Sequence, residues 1–254
     1  MSVIFCYSNT GNSLYAAKKI AQEINATVLP MTNTKSVDDD VIGFVFPVFY
    51  WGLPKHVENF AKNLDIKNKS AYIFSVSTYG GFTLGEQSYL KKILKQKNRR
   101  LCYFAKVKAV ENYIPSCRVN NNIKIHDATD KKLDKVIKDI KNKKKTKFIE
   151  TMFNHKTILN IISHSVYPKK CGENDKNFSI SSSCNGCGIC KKICPAHNIE
   201  ITNDKPQFLH NCDHCLSCIH ACPKTAINYR NKTYNKERYL NPNIKLDELI
   251  KLND

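Results

Sequence analysis

Eight of the twelve cysteines in the chain fall into two runs that share one spacing, C-x2-C-x2-C-x3-C-P. Thiolates are ligands for iron and for zinc, and three of them on one tight loop can converge on a single metal centre. The duplicated spacing therefore indicates two metal centres. The predicted ligands are Cys184, Cys187, Cys190, Cys194, Cys212, Cys215, Cys218 and Cys222.

The two runs resemble those of bacterial 2[4Fe-4S] ferredoxins, and the resemblance covers residues 178–230. In that family the fourth cysteine of each run ligates the cluster of the other run, because the x3 step and the proline turn it away from its neighbours. Gly186 and Gly188 give the first loop the backbone freedom it needs. The resemblance implies one cluster on Cys184, Cys187, Cys190 and Cys222, and a second on Cys212, Cys215, Cys218 and Cys194.

Two other uses of the cysteines remain open from the sequence. Structural zinc sites usually take two CxxC pairs and do not need the x3-C-P ending. Disulfides are typical of secreted proteins, and the N-terminus lacks the features of a signal peptide. The remaining cysteines share no spacing pattern, so we expect buried free thiols at Cys6, Cys102, Cys117 and Cys171.

A loop near the N-terminus, residues 8–13, carries a second kind of chemistry. Hydroxyl groups at Ser8, Thr10 and Ser13 surround the predicted start of a helix, whose free N–H groups attract anions. The loop has no lysine or arginine, so dipoles and hydroxyls alone would hold a phosphate there. A plain helix cap is the alternative interpretation.

This loop resembles the FMN phosphate loop of flavodoxins, commonly S/T-x-T-G-N-T/S. Two later loops, residues 47–52 and 77–81, follow predicted strands, as do the loops that hold the isoalloxazine ring in that family. The resemblance implies that Tyr50 or Trp51, together with Tyr79, flanks the ring. The predicted FMN-binding residues are Ser8, Asn9, Thr10, Gly11, Asn12, Ser13, Pro47, Tyr50, Trp51, Gly52, Ser77, Thr78, Tyr79, Gly80 and Gly81.

Strand and helix patterns alternate over the first 147 residues and predict an α/β fold, a flavodoxin-like doubly wound parallel sheet. Ligands of such sheets bind at the carboxyl ends of the strands, where the three loops lie. Predicted strands cover residues 3–6, 27–29, 41–46, 71–76 and 101–107. Predicted helices cover residues 11–24, 54–64, 84–97 and 130–142.

We divide the chain into a flavodoxin-like domain and a small ferredoxin-like α+β domain, with a connecting segment and a tail. Apolar residues between 149 and 166 share one helical face, which predicts a connecting helix rather than a membrane anchor. The charged tail is expected to wrap around the domains or to fray. The ranges are residues 1–147, 148–177, 178–230 and 231–254.

Four histidines lie close to the cysteine runs: His197, His210, His214 and His220. Polar packing at the surface or in linkers is the interpretation we favour for them. Proton coupling to electron transfer, or a hydrogen bond to a cluster sulfur, is the alternative.

The chain of 254 residues has a formal net charge of +18, concentrated in residues 91–108 and 141–147. We favour solvated helix faces, ahead of a docking surface for an acidic redox partner. Nucleic acid or an anionic membrane ranks last, because no nucleic-acid-binding motif accompanies the charge. The longest apolar stretch, residues 41–51, is far shorter than the roughly 20 residues of a spanning helix. We therefore expect a cytoplasmic protein.

The combined motifs predict an electron-transfer protein that links redox partners through two [4Fe-4S] clusters and FMN. The domain order resembles the fused flavodoxin-like and ferredoxin proteins of anaerobes. A carrier is favoured over an enzyme, because no catalytic base or nucleophile stands out. One alternative is a flavin-dependent reductase of a small electron acceptor. The other is a ferredoxin whose flavodoxin-like domain has lost FMN and serves only for docking.

Overall fold

The computed structural model describes residues 1–32, 34–119, 123–147 and 172–253. Five parallel strands form the main sheet, in the order β2-β1-β4-β6-β7. When the separate β3–β5 pair is left out and the other strands are renumbered in chain order, this becomes 2-1-3-4-5. That is the strand order of a flavodoxin-like doubly wound sheet, as predicted. The strands are β1 (Ser2–Cys6), β2 (Thr27–Pro30), β3 (Ser36–Val37), β4 (Val41–Pro47), β5 (Asp65–Ile66), β6 (Tyr72–Tyr79) and β7 (Leu101–Lys108).

Helices cover both faces of this sheet. One face packs against α1 (Asn12–Ile24) and α4 (Ile123–Lys141), and the other against α2 (Lys55–Asn63) and α3 (Glu86–Gln96). Central strands that are covered on both faces must be apolar on both faces. This explains the uninterrupted apolar run in β4, where Ile42, Phe44, Val45 and Phe46 are all fully buried.

The α4 helix begins at Ile123, earlier than the predicted start at residue 130. Its first turns lack an apolar face: Ile123 is 71% exposed, and no buried apolar residue occurs before Leu133. The Thr129 hydroxyl holds this part of the helix to β7, because its Oγ1 lies 2.7 Å from the Lys108 carbonyl oxygen. The predicted connecting helix, residues 148–167, lies outside the described residues.

The C-terminal half contains two similar units, each with a cysteine run, a short helix and a following strand. The strand after the first run, β9, pairs with β10 just before the second run, and β11 after the second run pairs with β8 before the first. This exchange ties the two runs into one domain. The elements are β8 (Phe178–Ile180), α5 (Ile189–Lys192), β9 (Ile199–Thr202), β10 (Lys205–Phe208), α6 (Ser217–His220) and β11 (Ile227–Tyr229).

The C-terminal segment ends in a helix, α7 (Leu246–Asn253), that wraps onto the rest of the chain rather than fraying. Leu249 and Leu252 are buried in the same apolar core as α1 and Ile193 of the second half. Asn253 Nδ2 donates to the carbonyl oxygen of Ser8, at 3.1 Å, and to that of Ile193, at 3.4 Å. The segment therefore joins the two halves. Within the described ranges, no helix is long and apolar enough to cross a bilayer.

Candidate functional site

The structure brings the eight predicted cysteines together around two cavities. Including space open to solvent, the first has about 350 Å³ not filled by protein atoms and the second about 320 Å³. Each is walled by three cysteines of one run and the fourth cysteine of the other. The first set is Cys184, Cys187, Cys190 and Cys222, and the second is Cys212, Cys215, Cys218 and Cys194.

Left-handed backbone at equivalent positions shapes both cysteine loops. In the first run these positions are Gly186 and Gly188, with φ of 70° and 74°. In the second run they are His214 and Leu216, with φ of 52° and 64°. A left-handed conformation is free for glycine but costs roughly 1–2 kcal/mol for a residue with a side chain. The second loop therefore carries two side chains at positions that favour glycine.

Backbone N–H groups point at sulfur atoms in both halves. The fourth cysteine of each run accepts from the amide four residues later: Ala226 N lies 3.2 Å from Cys222 Sγ, and Asn198 N lies 3.4 Å from Cys194 Sγ. Such hydrogen bonds stabilise negative charge on sulfur, and they tune the potential of an iron–sulfur cluster.

The donor set fits an anionic metal cluster. Burial raises the pKa of the Cys190 thiol to about 11 and that of Cys215 to about 12, so these sulfurs need a metal to become thiolates at neutral pH. Arg238 lies close enough to Cys222 and Cys218 to interact with their charge. Its buried Nε and Nη1 atoms have no hydrogen-bond partner among the described residues. A half-buried cation with buried, unused donors fits a negatively charged group beside it.

A third, larger cavity lies where the carboxyl ends of the strands meet the second cysteine loop. It has about 1480 Å³ of space not filled by atoms, including its open mouth. Nine of the predicted FMN-binding residues line it: Asn9, Asn12, Pro47, Tyr50, Trp51, Thr78, Tyr79, Gly80 and Gly81. The other six do not: Ser8, Thr10, Gly11, Ser13, Gly52 and Ser77.

Two groups of lining residues were not predicted from the sequence. The loop after β7 contributes Glu111, Asn112, Tyr113 and Cys117, and the second cysteine loop contributes His214, Cys215 and Leu216. The first group could have been found, because ligands of doubly wound sheets bind at the carboxyl ends of strands, and β7 is one of them. The second group has no sequence signal, because it depends on how the two halves pack.

His214 joins the aromatic cavity to the second cysteine loop. Its Nδ1 is hydrogen-bonded to the Tyr50 hydroxyl, and its own amide N lies 3.2 Å from Cys212 Sγ. Its ring lies 4.8 Å from that of Tyr229, centroid to centroid. Burial lowers the pKa of His214 to about 4, so the imidazole is neutral at physiological pH.

The histidine predictions hold for two of the four residues. His197 and His210 are exposed, as expected of surface positions. His214 and His220 are buried, contrary to the interpretation we favoured. His220 bridges the halves: its Nε2 lies 2.9 Å from the Asn112 carbonyl oxygen, and its Nδ1 accepts from Tyr239 N at 3.1 Å.

The free-thiol prediction holds for Cys6 and Cys102, which are both buried. Cys117 is only half-buried and lines the aromatic cavity, with its thiol donating to the Tyr113 carbonyl oxygen at 3.1 Å. Cys171 lies outside the described residues.

Fold and cysteine geometry define a class of protein: a flavodoxin-like sheet joined to a small domain with two four-cysteine sites. Residues 183–234 match the family of 4Fe-4S dicluster domains. The chain is therefore a fusion of a flavodoxin-like domain with a ferredoxin-type dicluster domain, and its iron–sulfur domain gives it a redox role in electron transfer.

Two solved structures are similar to part of the chain. A candidate flavoprotein from Bacteroides uniformis is 16% identical, with a TM-score of 0.33 over 42% of this chain and 88% of that chain. The Trp repressor binding protein of Bacillus subtilis is 12% identical, with a TM-score of 0.35 over 51% of this chain and 92% of that chain. No curated protein sequence matches the chain.

Proposed function

We propose that this protein carries electrons between redox partners through two [4Fe-4S] clusters and a flavin, with FMN as the form that the sequence predicts. One observation carries the proposal: Cys215 lines both the second four-cysteine cavity and the aromatic cavity. A cluster on the second cysteine set and a flavin ring in the aromatic cavity would then share a wall. Single electrons would pass between them without a second protein.

The ligand sets support clusters over single zinc ions. Each cavity is walled by the four sulfurs of one crossed C-x2-C-x2-C-x3-C set among mostly apolar residues, and Asp213 also lines the second cavity. When bound, the clusters supply one-electron chemistry. The chain supplies the thiolates, the N–H groups on sulfur and the half-buried Arg238.

The first four-cysteine site is the proposed entry point for electrons, because Cys187 is exposed. Three exposed lysines lie in the surrounding segments, Lys191, Lys192 and Lys224. Positive charge around an exposed centre speeds encounter with a negatively charged partner. We therefore assign an acidic redox protein as partner, and we place the protein in the cytoplasm, where thiols stay reduced.

Counting iron, sulfide and flavin in anaerobically purified protein tests this proposal. We expect about eight irons and eight sulfides per chain, four for each site, with one flavin after incubation with FMN. Two zinc ions in place of iron would refute the clusters. A full iron content with no flavin uptake would leave the first domain as a docking module only.

A flavin-dependent reductase is the second candidate, and the open rim of the aromatic cavity favours it. Trp51 and Phe82 stack there with centroids 5.3 Å apart, and they are 47% and 57% exposed, so a small acceptor can approach the cavity from solvent. Saturable reoxidation of the reduced protein by a small acceptor would identify a reductase. A carrier instead exchanges electrons rapidly with a protein partner.

A further inference from the structure

The hydroxyl groups of the predicted phosphate loop, residues 8–13, are already used by the protein. Ser8 Oγ accepts from Gly11 N at 3.2 Å and from Leu14 N at 3.3 Å. Ser13 Oγ and Thr78 Oγ1 are hydrogen-bonded at 2.8 Å. Thr10 Oγ1 accepts from Asn112 Nδ2. All three hydroxyl residues of the loop are at most 1% exposed, and none of them lines the aromatic cavity.

The C-terminal segment covers the same loop. Asn241 N donates to the Thr10 carbonyl oxygen at 2.8 Å. The Asn12 side-chain oxygen accepts from the Tyr239 hydroxyl at 2.7 Å and from Asn241 Nδ2 at 3.0 Å. At Gly11, where φ is 94°, an added Cβ would lie 2.9 Å from the Asn241 Cβ. The segment thus packs on the loop so closely that not even a methyl group fits between them.

The electrostatics of the aromatic cavity do not favour a phosphate dianion. No lysine or arginine is among the described residues that line it, whereas Glu111 is. A dianion that enters a partly dry site without a counter-charge or open hydroxyl groups loses its hydration and gains little in return.

The lining of the cavity suits a flat ring. Six aromatic residues line it, namely Phe49, Tyr50, Trp51, Tyr79, Phe82 and Tyr113. The backbone at Gly80 and Gly81 lies beside Glu111, whose Oε2 would be 2.3 Å from a Cβ added at Gly80. This arrangement provides aromatic surface and a hydrogen-bond acceptor.

We propose that this site binds flavin through the isoalloxazine ring alone, with the C-terminal segment occupying the place of the phosphate on the loop. The inference rests on the proposed flavin site and specifies which part of the flavin that site recognises. FMN and riboflavin are then equivalent ligands, and any phosphate group stays outside the loop. The segment Tyr239–Asn241 is the specificity element, although it lies more than 200 residues from the loop in sequence.

The test compares the affinities of FMN and riboflavin for the full-length protein, with its iron–sulfur clusters bound and its flavin removed. It needs no mutation. We expect dissociation constants that differ by less than about tenfold, which is about 1.4 kcal/mol. Inorganic phosphate should not displace FMN. An FMN preference of tenfold or more, or displacement by phosphate, would overturn the inference. Binding of neither ligand would instead refute the proposed flavin site.

Two variants separate the ring contacts from the loop contacts. Tyr79→Ala should weaken the binding of FMN and of riboflavin by the same factor, because Tyr79 is one of the aromatic residues that line the cavity. Thr10→Val should leave the ratio of the two dissociation constants unchanged, even if folding stability falls, because a ratio cancels effects common to both ligands. A loss of affinity in Thr10→Val that is confined to FMN would show that the loop binds phosphate.

Discussion

Arg238 places a half-buried cation beside Cys222 and Cys218, which belong to different four-cysteine sets. Its Nη2 donates to Asn228 Oδ1 at 2.8 Å and to the Ile227 carbonyl oxygen at 3.3 Å. The other two side-chain nitrogens are buried without partners among the described residues. A cluster gains negative charge when it is reduced, so a nearby cation stabilises its reduced form.

We therefore expect Arg238→Met to lower the reduction potential of at least one cluster. The expected shift is on the order of 50 mV, about tenfold in a one-electron equilibrium. An EPR-monitored redox titration measures it. Arg230→Met is the matched control, since Arg230 is exposed and packs over the Tyr229 ring. Unchanged potentials in Arg238→Met with full iron content would show that Arg238 only anchors the C-terminal segment.

At the residue scale, the sequence predicts what depends on local spacing. The structure gathers the eight cysteines that the spacing singled out, and three cysteines of each set come from one short loop. The spacing did not predict the roles of His214 and Leu216. They occupy the positions at which the first run has glycines. They line the aromatic cavity only because the two domains pack together. Arg238 lies outside the matched dicluster segment and carries no motif.

The exchange of the fourth cysteine ties the two elements of the iron–sulfur domain together. Cys194 follows α5 of the first unit but lines the cavity of the second cysteine set. The paired strands β8–β11 and β9–β10 also join segments from both units. The two sites should therefore be defined by crossed ligand sets.

Double variants test this crossing through iron content. Cys194→Ala and Cys215→Ala should each remove about four irons, and their combination should remove no more, because both belong to one site. Combining Cys194→Ala with Cys187→Ala should remove about eight irons. The reverse pattern, in which Cys194 groups with Cys187, would contradict the crossed assignment.

The α7 helix contributes to the core that underlies α1 and α4, since Leu249 is 1% exposed within it. We expect Leu249→Ala to lower the free energy of unfolding by about 2–5 kcal/mol, the usual cost of truncating a buried leucine. Chemical denaturation of the full chain measures the change. Lys251→Ala, an exposed position on the same helix, should change the free energy by less than about 0.5 kcal/mol.

An unaltered midpoint in Leu249→Ala would mean that the helix is not part of this core.

The element patterns explain why α7 was only partly anticipated. Alternating apolar runs predicted the five-stranded sheet and its helices. Burial of a strand or a helix face requires apolar residues close together in sequence, so the pattern is visible locally. The docking of the tail joins residues more than 200 positions apart, such as Asn253 and Ser8, and leaves no periodic signal.

At the scale of the whole molecule, the two cysteine sites have different surroundings. Cys187 of the first site is exposed, with exposed lysines in the surrounding segments, whereas Cys215 of the second site lines the aromatic cavity. In the proposed function, an acidic partner exchanges electrons with the first site, and the second site exchanges them with the flavin.

Small charged oxidants test the sign of the surface around the first site. Oxidation of the reduced clusters by ferricyanide, an anion, should slow as salt is added, and oxidation by hexaamminecobalt(III), a cation, should accelerate. Replacing both Lys191 and Lys192 by glutamine should slow the ferricyanide reaction several-fold at low salt. The same change at Lys131 and Lys132, exposed on α4, should not. Equal effects of the two pairs would refute a local docking surface.

Flash reduction of the flavin tests whether electrons move between the flavin and the clusters within one chain. We predict that electrons pass from reduced flavin to the clusters at a rate independent of protein concentration. That rate should persist in Cys187→Ala, which removes the distant site, and should be lost in Cys215→Ala. A rate that scales with protein concentration, or that survives Cys215→Ala but not Cys187→Ala, would contradict the account.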